Sequence, residues 1–66
     1  MAVLKVIELL ANSDKSWEDA AKQALDQAGK SINHIRSIYI NEQSCTVEDG
    51  KIKSYRVNAK ITFEVK

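Results

Sequence analysis

Arg56 is the side chain best equipped to hold a small ligand. It belongs to a segment in which Ser54, Arg56, Asn58 and Lys60 alternate with Tyr55, Val57, Ala59 and Ile61. A period of two places Arg56 on the polar face of a strand. Ser37 and Tyr39 have the polar parity of an earlier segment, so the same sheet face receives them. A guanidinium offers five donors in a fixed fork that suits carboxylate or phosphate, and hydroxyls donate or accept beside it. Arg56 and Ser37 together therefore define a candidate anion or small-ligand site. The opposing account is an ion pair between Arg56 and Glu42 or another acid across a subunit contact. His34 and Cys45 are the only residues of their types, too few for a zinc site within one chain. Cys45 has no neighbouring base and reads as an inert, partly buried thiol. His34 is expected just past a helix end, where a cation suits the dipole. There is no nucleophile–base–orienter set, no Gly-rich phosphate loop and no close pair of carboxylates in contrasting environments. The chemistry is that of a binding protein rather than an enzyme.

These residues sit in a chain of 66 residues, enough for one domain. A chain this short buries only about 60% of its unfolded surface. A lone cysteine gives no intrachain disulfide and fits a reducing cytoplasm. Partner subunits are the remaining source of buried area. The formal net charge is +1 with both signs interspersed, unlike the basic face of a nucleic-acid-binding module. No apolar run approaches the roughly 20 residues that span a bilayer. The opening Met1-Ala2-Val3-Leu4-Lys5 lacks the basic and apolar regions of a signal peptide. The expectation is a cytoplasmic homo-oligomer that binds neither nucleic acid nor membrane.

Four elements position the candidates. Val3 to Leu10 is β-rich and apolar, and Ala11 to Lys15 is expected to end it. Ser16-Trp17-Glu18-Asp19 opens a helix: the serine accepts from first-turn N–H groups and the acids suit the positive dipole end. Trp17, Ala20, Ala21, Ala24, Leu25, Ala28 and Ile32 then form one apolar stripe over about four turns. Its alanines let a helix lie close to a sheet. Gly29 and Asn33 weaken the end. Ile38 and Ile40 alternate with Ser37, Tyr39 and Asn41, after which the parity slips at Gln43, Cys45 and Val47. A bulge or bend near Glu42 to Ser44 accounts for the slip. Glu48-Asp49-Gly50-Lys51 is a hairpin turn, and Tyr55 to Val65 is the clearest strand. The class is α+β: a β-α-β-β subunit with the last strand central in a three-stranded antiparallel sheet. One sheet face and two edges stay open, which invites assembly.

The strand Lys5-Val6-Ile7-Glu8-Leu9-Leu10, the helix opening Ser16-Trp17-Glu18-Asp19-Ala20, the Asp49-Gly50 hairpin and the closing Tyr55-Arg56-Val57 resemble a dodecin over nearly the whole chain. The resemblance implies a sheet partly wrapped around its helix and twelve copies in a hollow sphere. It also implies a storage role, with flavins held in pairs at subunit contacts. The family's flavin-stacking tryptophan falls on Ser37, its glutamine on Arg56, and a usual arginine and glycine on Ser44 and Cys45. Serine supplies no stacking face, which is worth roughly 0.5–1.5 kcal/mol beyond burial. Arginine only donates where glutamine both donates and accepts. These departures argue against ordinary flavin binding and leave Ser37, Tyr39, Ser44 and Arg56 as the ligand-binding candidates. Trp17 lies on the helix and is expected to anchor the core or an interface.

A dodecin-like branch without the aromatic pocket, thought to bind calcium, is similar in its Ser-Trp-Glu helix start and its Glu42-Gln43 pair. Calcium takes six to eight oxygens, and no DxDxDG-type loop is present. Its candidate ligands are therefore Glu42, Glu48 and Asp49, gathered from separate segments or subunits. The plainer account of Glu48 and Asp49 is a solvated turn.

Overall fold

The computed structural model describes residues 2–65, so Met1 of the opening segment falls outside the described residues. Strand β1 spans Val3–Ser13, helix α1 Trp17–Gly29, strand β2 Ile35–Glu48 and strand β3 Lys51–Val65. The sheet order is β1-β3-β2, with both neighbours antiparallel to β3. This is the α+β, β-α-β-β arrangement that the alternation patterns predict.

The core is small and forms where α1 crosses the sheet. Ala20, Ala24 and Ala28 recur every fourth residue and face Val57, Ala59 and Ile61 of β3, all of them buried. Alanine presents only a methyl group, so the helix backbone approaches the central strand closely. Burying Ile61 completely is worth roughly 1.5–3 kcal/mol. A helix of 13 residues is about 20 Å long at 1.5 Å per residue. The molecule extends 51 Å along its longest axis. The helix therefore covers less than half of the sheet's length, and the far hairpin projects beyond it. Val47 and Ile52, paired near the hairpin tip, are 67% and 57% exposed for that reason.

Two details depart from the sequence reading. β1 does not stop at Leu10: Ala11, Asn12 and Ser13 continue the ladder opposite Val57, Arg56 and Tyr55. Pairing to a long central strand outweighs the weak β-propensity of these small residues. The helix ends at Gly29, so Ile32 and Asn33 lie outside it. His34 stands well beyond that end, at the entry to β2, in a left-handed turn with φ 63°. It is not placed on the helix terminus, and its carbonyl accepts from the Glu64 N–H at 3.0 Å.

The turn between β2 and β3 behaves as the sequence predicts. Glu48 pairs with Lys51, and Asp49 and Gly50 both take positive φ, 54° and 74°. Two positive values in a two-residue loop make a type I′ hairpin, whose twist matches the strands.

Two clasps hold α1 in register. At its start the Ser16 hydroxyl accepts from the Asp19 N–H at 3.0 Å. The buried Ser13 donates to Asp19 Oδ2 at 2.6 Å, and the same oxygen accepts from Gln23 Nε2 at 2.6 Å. These two hydrogen bonds, Ser13's first, hold the Asp19 carboxyl below its ordinary value of 3.8, and Lys15 and Lys22 add to the effect. The second clasp is Trp17. Its indole N–H donates to the Ser44 carbonyl at 3.0 Å, and its ring meets Tyr55 edge-on with centroids 5.1 Å apart.

Two expectations follow from the clasps. A folded-state carboxyl held low contributes stability that is fully present above the unfolded value and is lost as pH falls through the folded value. Ser13→Ala should raise the Asp19 titration toward 3.8 by NMR and move acid unfolding to higher pH; an unmoved Asp19 would refute the clasp. Trp17→Phe keeps an aromatic edge but leaves the Ser44 carbonyl without its donor, which should cost about 1 kcal/mol in urea unfolding.

Candidate functional site

The helix covers one side of the sheet, so the candidate site lies on the other. Register assigns that face row by row. Lys60 of β3 stands between Glu8 and Tyr39, Asn58 between Leu10 and Glu42, and Arg56 between Asn12 and Ser44. Ser37 lies opposite Thr62 in the next row. The proposed ligand residues Ser37, Tyr39, Ser44 and Arg56 thus share one face, spread over several rows.

A register shift between Ile40 and Glu42 leaves Asn41 without a partner. The sequence reading expects the irregularity at Glu42 to Ser44 and assigns Asn41 to this face. The observed bulge falls one residue earlier, and Glu42 takes the place opposite Asn58. Two further shifts, between Ile35 and Ser37 and between Thr46 and Val47, match odd spacings from Ile35 to Ile38 and from Ile52 to Tyr55 that the alternation carries without marking which residue is extra.

The polar balance of the face is unusual. Arg56 Nε and Asn58 Oδ1 are buried and, among the described residues, have no hydrogen-bond partner. Leaving such a group unsatisfied costs roughly 1–3 kcal/mol. Glu42 is exposed and forms no ion pair with Arg56 among the described residues, where the two ion pairs are Arg36–Glu64 at 2.8 Å and Lys53–Glu48 at 2.7 Å. Leu4, Val6 and Leu10 of β1 bring apolar surface to the same face, 52%, 58% and 57% exposed. Asn58 was read from the alternation as a polar face residue, but nothing in the sequence marks its oxygen as orphaned. That emerges only from packing.

The carboxylates proposed as metal ligands stand apart. Glu42 lies mid-strand, Glu48 is engaged by Lys53, and Asp49 occupies the turn. Among the described residues no three His, Cys, Asp or Glu side chains gather closely enough to hold a metal ion. Cys45 is a free, half-buried thiol opposite Tyr55. Two cavities lie elsewhere: about 250 Å³ between β1 and α1, beside Leu9, Gln23 and Gln27, and about 360 Å³ beside Lys5, His34 and Phe63. Neither is lined by a proposed ligand residue. No helix among the described residues is long and apolar enough to cross a membrane.

Known proteins share this arrangement. The dodecin family model matches residues 3–66. The calcium dodecin of Mycobacterium tuberculosis is 33% identical over 66 residues, covering 100% of this chain and 93% of its own. The crystal structure of that calcium-chelating antigen superposes with a TM-score of 0.85 at 37% identity, over 97% of this chain and 91% of the other. A Thermus thermophilus dodecin variant superposes with a TM-score of 0.94 at 27% identity, over 100% and 98% of the two chains. By sequence over its length and by the order and pairing of its strands, the chain belongs to the dodecin family.

Proposed function

We propose that this protein binds or stores a small molecule within a cytoplasmic homo-oligomer, a hollow dodecamer, and catalyses no reaction on it. The observation that carries this reading is the pair of unsatisfied buried atoms, Arg56 Nε and Asn58 Oδ1, on the helix-free face. A sheet face that also exposes Leu4, Val6 and Leu10 gains by being covered, and a second copy supplies the cover. The ligand then lies at a subunit contact, among Ser37, Tyr39, Ser44 and Arg56.

Flavin suits this face poorly. Ser37 is exposed and offers no ring. The aromatic side chain on the face is Tyr39, 62% exposed, in the Lys60 row rather than at Ser37. A polar ligand read by hydrogen bonds fits better than a large ring read by stacking.

Calcium is a second reading, favoured by the 33% identity to a calcium dodecin. Glu42, Glu48 and Asp49 would supply its oxygens. Calcium takes six to eight oxygens, and no three such side chains cluster among the described residues, so this reading needs a site built from more than one subunit.

Thermal unfolding of the metal-stripped protein, with riboflavin and calcium chloride added separately, distinguishes these readings. A ligand at 100 times its Kd raises stability by roughly 2.7 kcal/mol, a shift of roughly 10–20 °C in a domain of this size. Riboflavin, which carries no phosphate, should give no shift, and light scattering should give an oligomer. A flavin shift would overturn the argument from Ser37, a calcium shift would establish the second reading, and a monomer would sink the binding shell altogether. Ser37→Trp combined with Arg56→Gln should create flavin affinity, read by quenching of flavin fluorescence.

A further inference from the structure

We infer that the ligand of the helix-free face is a small, partly protonated oxyanion, a phosphate or a hydroxycarboxylate, held by Arg56 and Asn58. The inference rests on the binding reading above and gives that ligand a chemical class.

Charge and register lead to it. The row through Arg56 is completed by Asn12 on one side and Ser44 on the other. It therefore crosses all three strands with a guanidinium, an amide and a hydroxyl, and without an acid. Arg56 takes part in neither of the ion pairs found among the described residues. A cation entering this row would meet the fixed positive charge of Arg56, which the neutral Asn12 and Ser44 do not offset. An anion meets the opposite condition, and the guanidinium fork matches the spacing of two oxygens on carboxylate or phosphate.

The two unsatisfied atoms narrow the class further. Arg56 Nε is a donor that lacks an acceptor, and Asn58 Oδ1 is an acceptor that lacks a donor. They stand two residues apart on one face of β3, about 6.4–6.8 Å along the strand. A fully ionised anion satisfies only the arginine. An oxyanion that retains one hydroxyl satisfies both: hydrogen phosphate carries P–O⁻ and P–OH, and a hydroxycarboxylate carries its carboxylate and a neighbouring O–H. Both atoms are covered within a single chain, so a ligand reaches them only if the two side chains turn outward.

Glu42 is the competing acid. It occupies the adjacent row opposite Asn58, exposed, and makes no ion pair with Arg56. Its charge opposes an anion in the Arg56 row and would assist a cation. That difference in sign makes it the most informative residue to change.

The test uses the full chain in its assembled form, in phosphate-free buffer, with potassium chloride at matched ionic strength as the screening control. Inorganic phosphate, malate and calcium chloride are titrated separately by calorimetry and thermal unfolding. Phosphate or malate should bind, and the tighter of the two identifies the oxyanion. Arg56→Gln should weaken that binding by about tenfold or more, as expected for loss of a charged hydrogen-bond donor. Glu42→Gln, at an exposed position, should tighten it. Weakened anion binding in Glu42→Gln, equal binding by Arg56→Gln and the parent, or a chloride effect matching phosphate would each overturn the inference. If the parent assembles and responds to calcium but to neither anion, the oxyanion is refuted and the binding reading stands. If the parent does not assemble and responds to nothing, both fall. Should Arg56→Gln alone lose assembly, Arg56 closes a subunit contact, and the inference is likewise refuted.

Discussion

The close approach of a helix to a single strand governs this molecule. Ala20, Ala24 and Ala28 bring the backbone of α1 near β3, where Val57, Ala59 and Ile61 are sealed from solvent. Larger residues at those helix positions would hold the helix off the sheet and open voids along the strand, and interiors tolerate such voids poorly. The contact stays small because the helix is short relative to the strands. The Ser13–Asp19 and Trp17–Ser44 hydrogen bonds secure the start of the helix, so that the alanine stripe meets β3 in one register. Without that register the central strand would have no core to define its two faces.

From this one contact follow both the stability problem and the open face that carries the candidate site. A single chain covers one side of three long strands over part of their length. The uncovered side keeps Leu4, Val6 and Leu10 exposed, and the hairpin leaves Val47 and Ile52 without cover. Scattered apolar residues are normal on protein surfaces, but a row of them on one strand face marks a surface meant for contact. The same face carries charged and amide groups on the central strand. Apolar β1 and polar β3 thus lie side by side, and a partner that buries the first must also accommodate the second.

Much of this was legible in the sequence, because it depends on period and on local chemistry. The alternation from Tyr55 to Val65 fixes β3 and assigns Arg56, Asn58 and Lys60 to one face. Asp49-Gly50 specifies its turn, and Ser16 specifies the start of α1. The continuation of β1 to Ser13 was not legible. The segment Ala11-Asn12-Ser13 has weak strand propensity, and pairing with Tyr55 to Val57, distant in sequence, is what makes it a strand. The bulge at Asn41 was foreseen from the parity slip but misplaced by one residue, since parity reveals that a residue is extra without saying which. That single residue decides whether Asn41 or Glu42 faces Asn58, and so whether a neutral or a charged group borders the candidate site. The same shift accounts for Cys45 joining Tyr55 while Ser44 joins Arg56.

Different residue types on one sheet face recognise ligands by different physics on the same backbone. A stacking aromatic gathers affinity from area, which is tolerant of ring identity and nearly insensitive to salt. A guanidinium on an otherwise neutral row gathers it from charge and directed hydrogen bonds, which discriminate by geometry and weaken as salt screens them. The backbone rows around Ser37 and Arg56 need no rearrangement for such a change, because each strand position presents its side chain to the face whatever that side chain is. What must adjust is the neighbourhood: a charge brought to a contact between subunits needs a counter-charge or a ligand, because burying it alone would oppose assembly. Glu42, set beside Asn58 by the bulge at Asn41, borders that row yet forms no ion pair with Arg56 among the described residues. The charge on Arg56 would therefore couple anything bound at this face to any subunit contact formed over it.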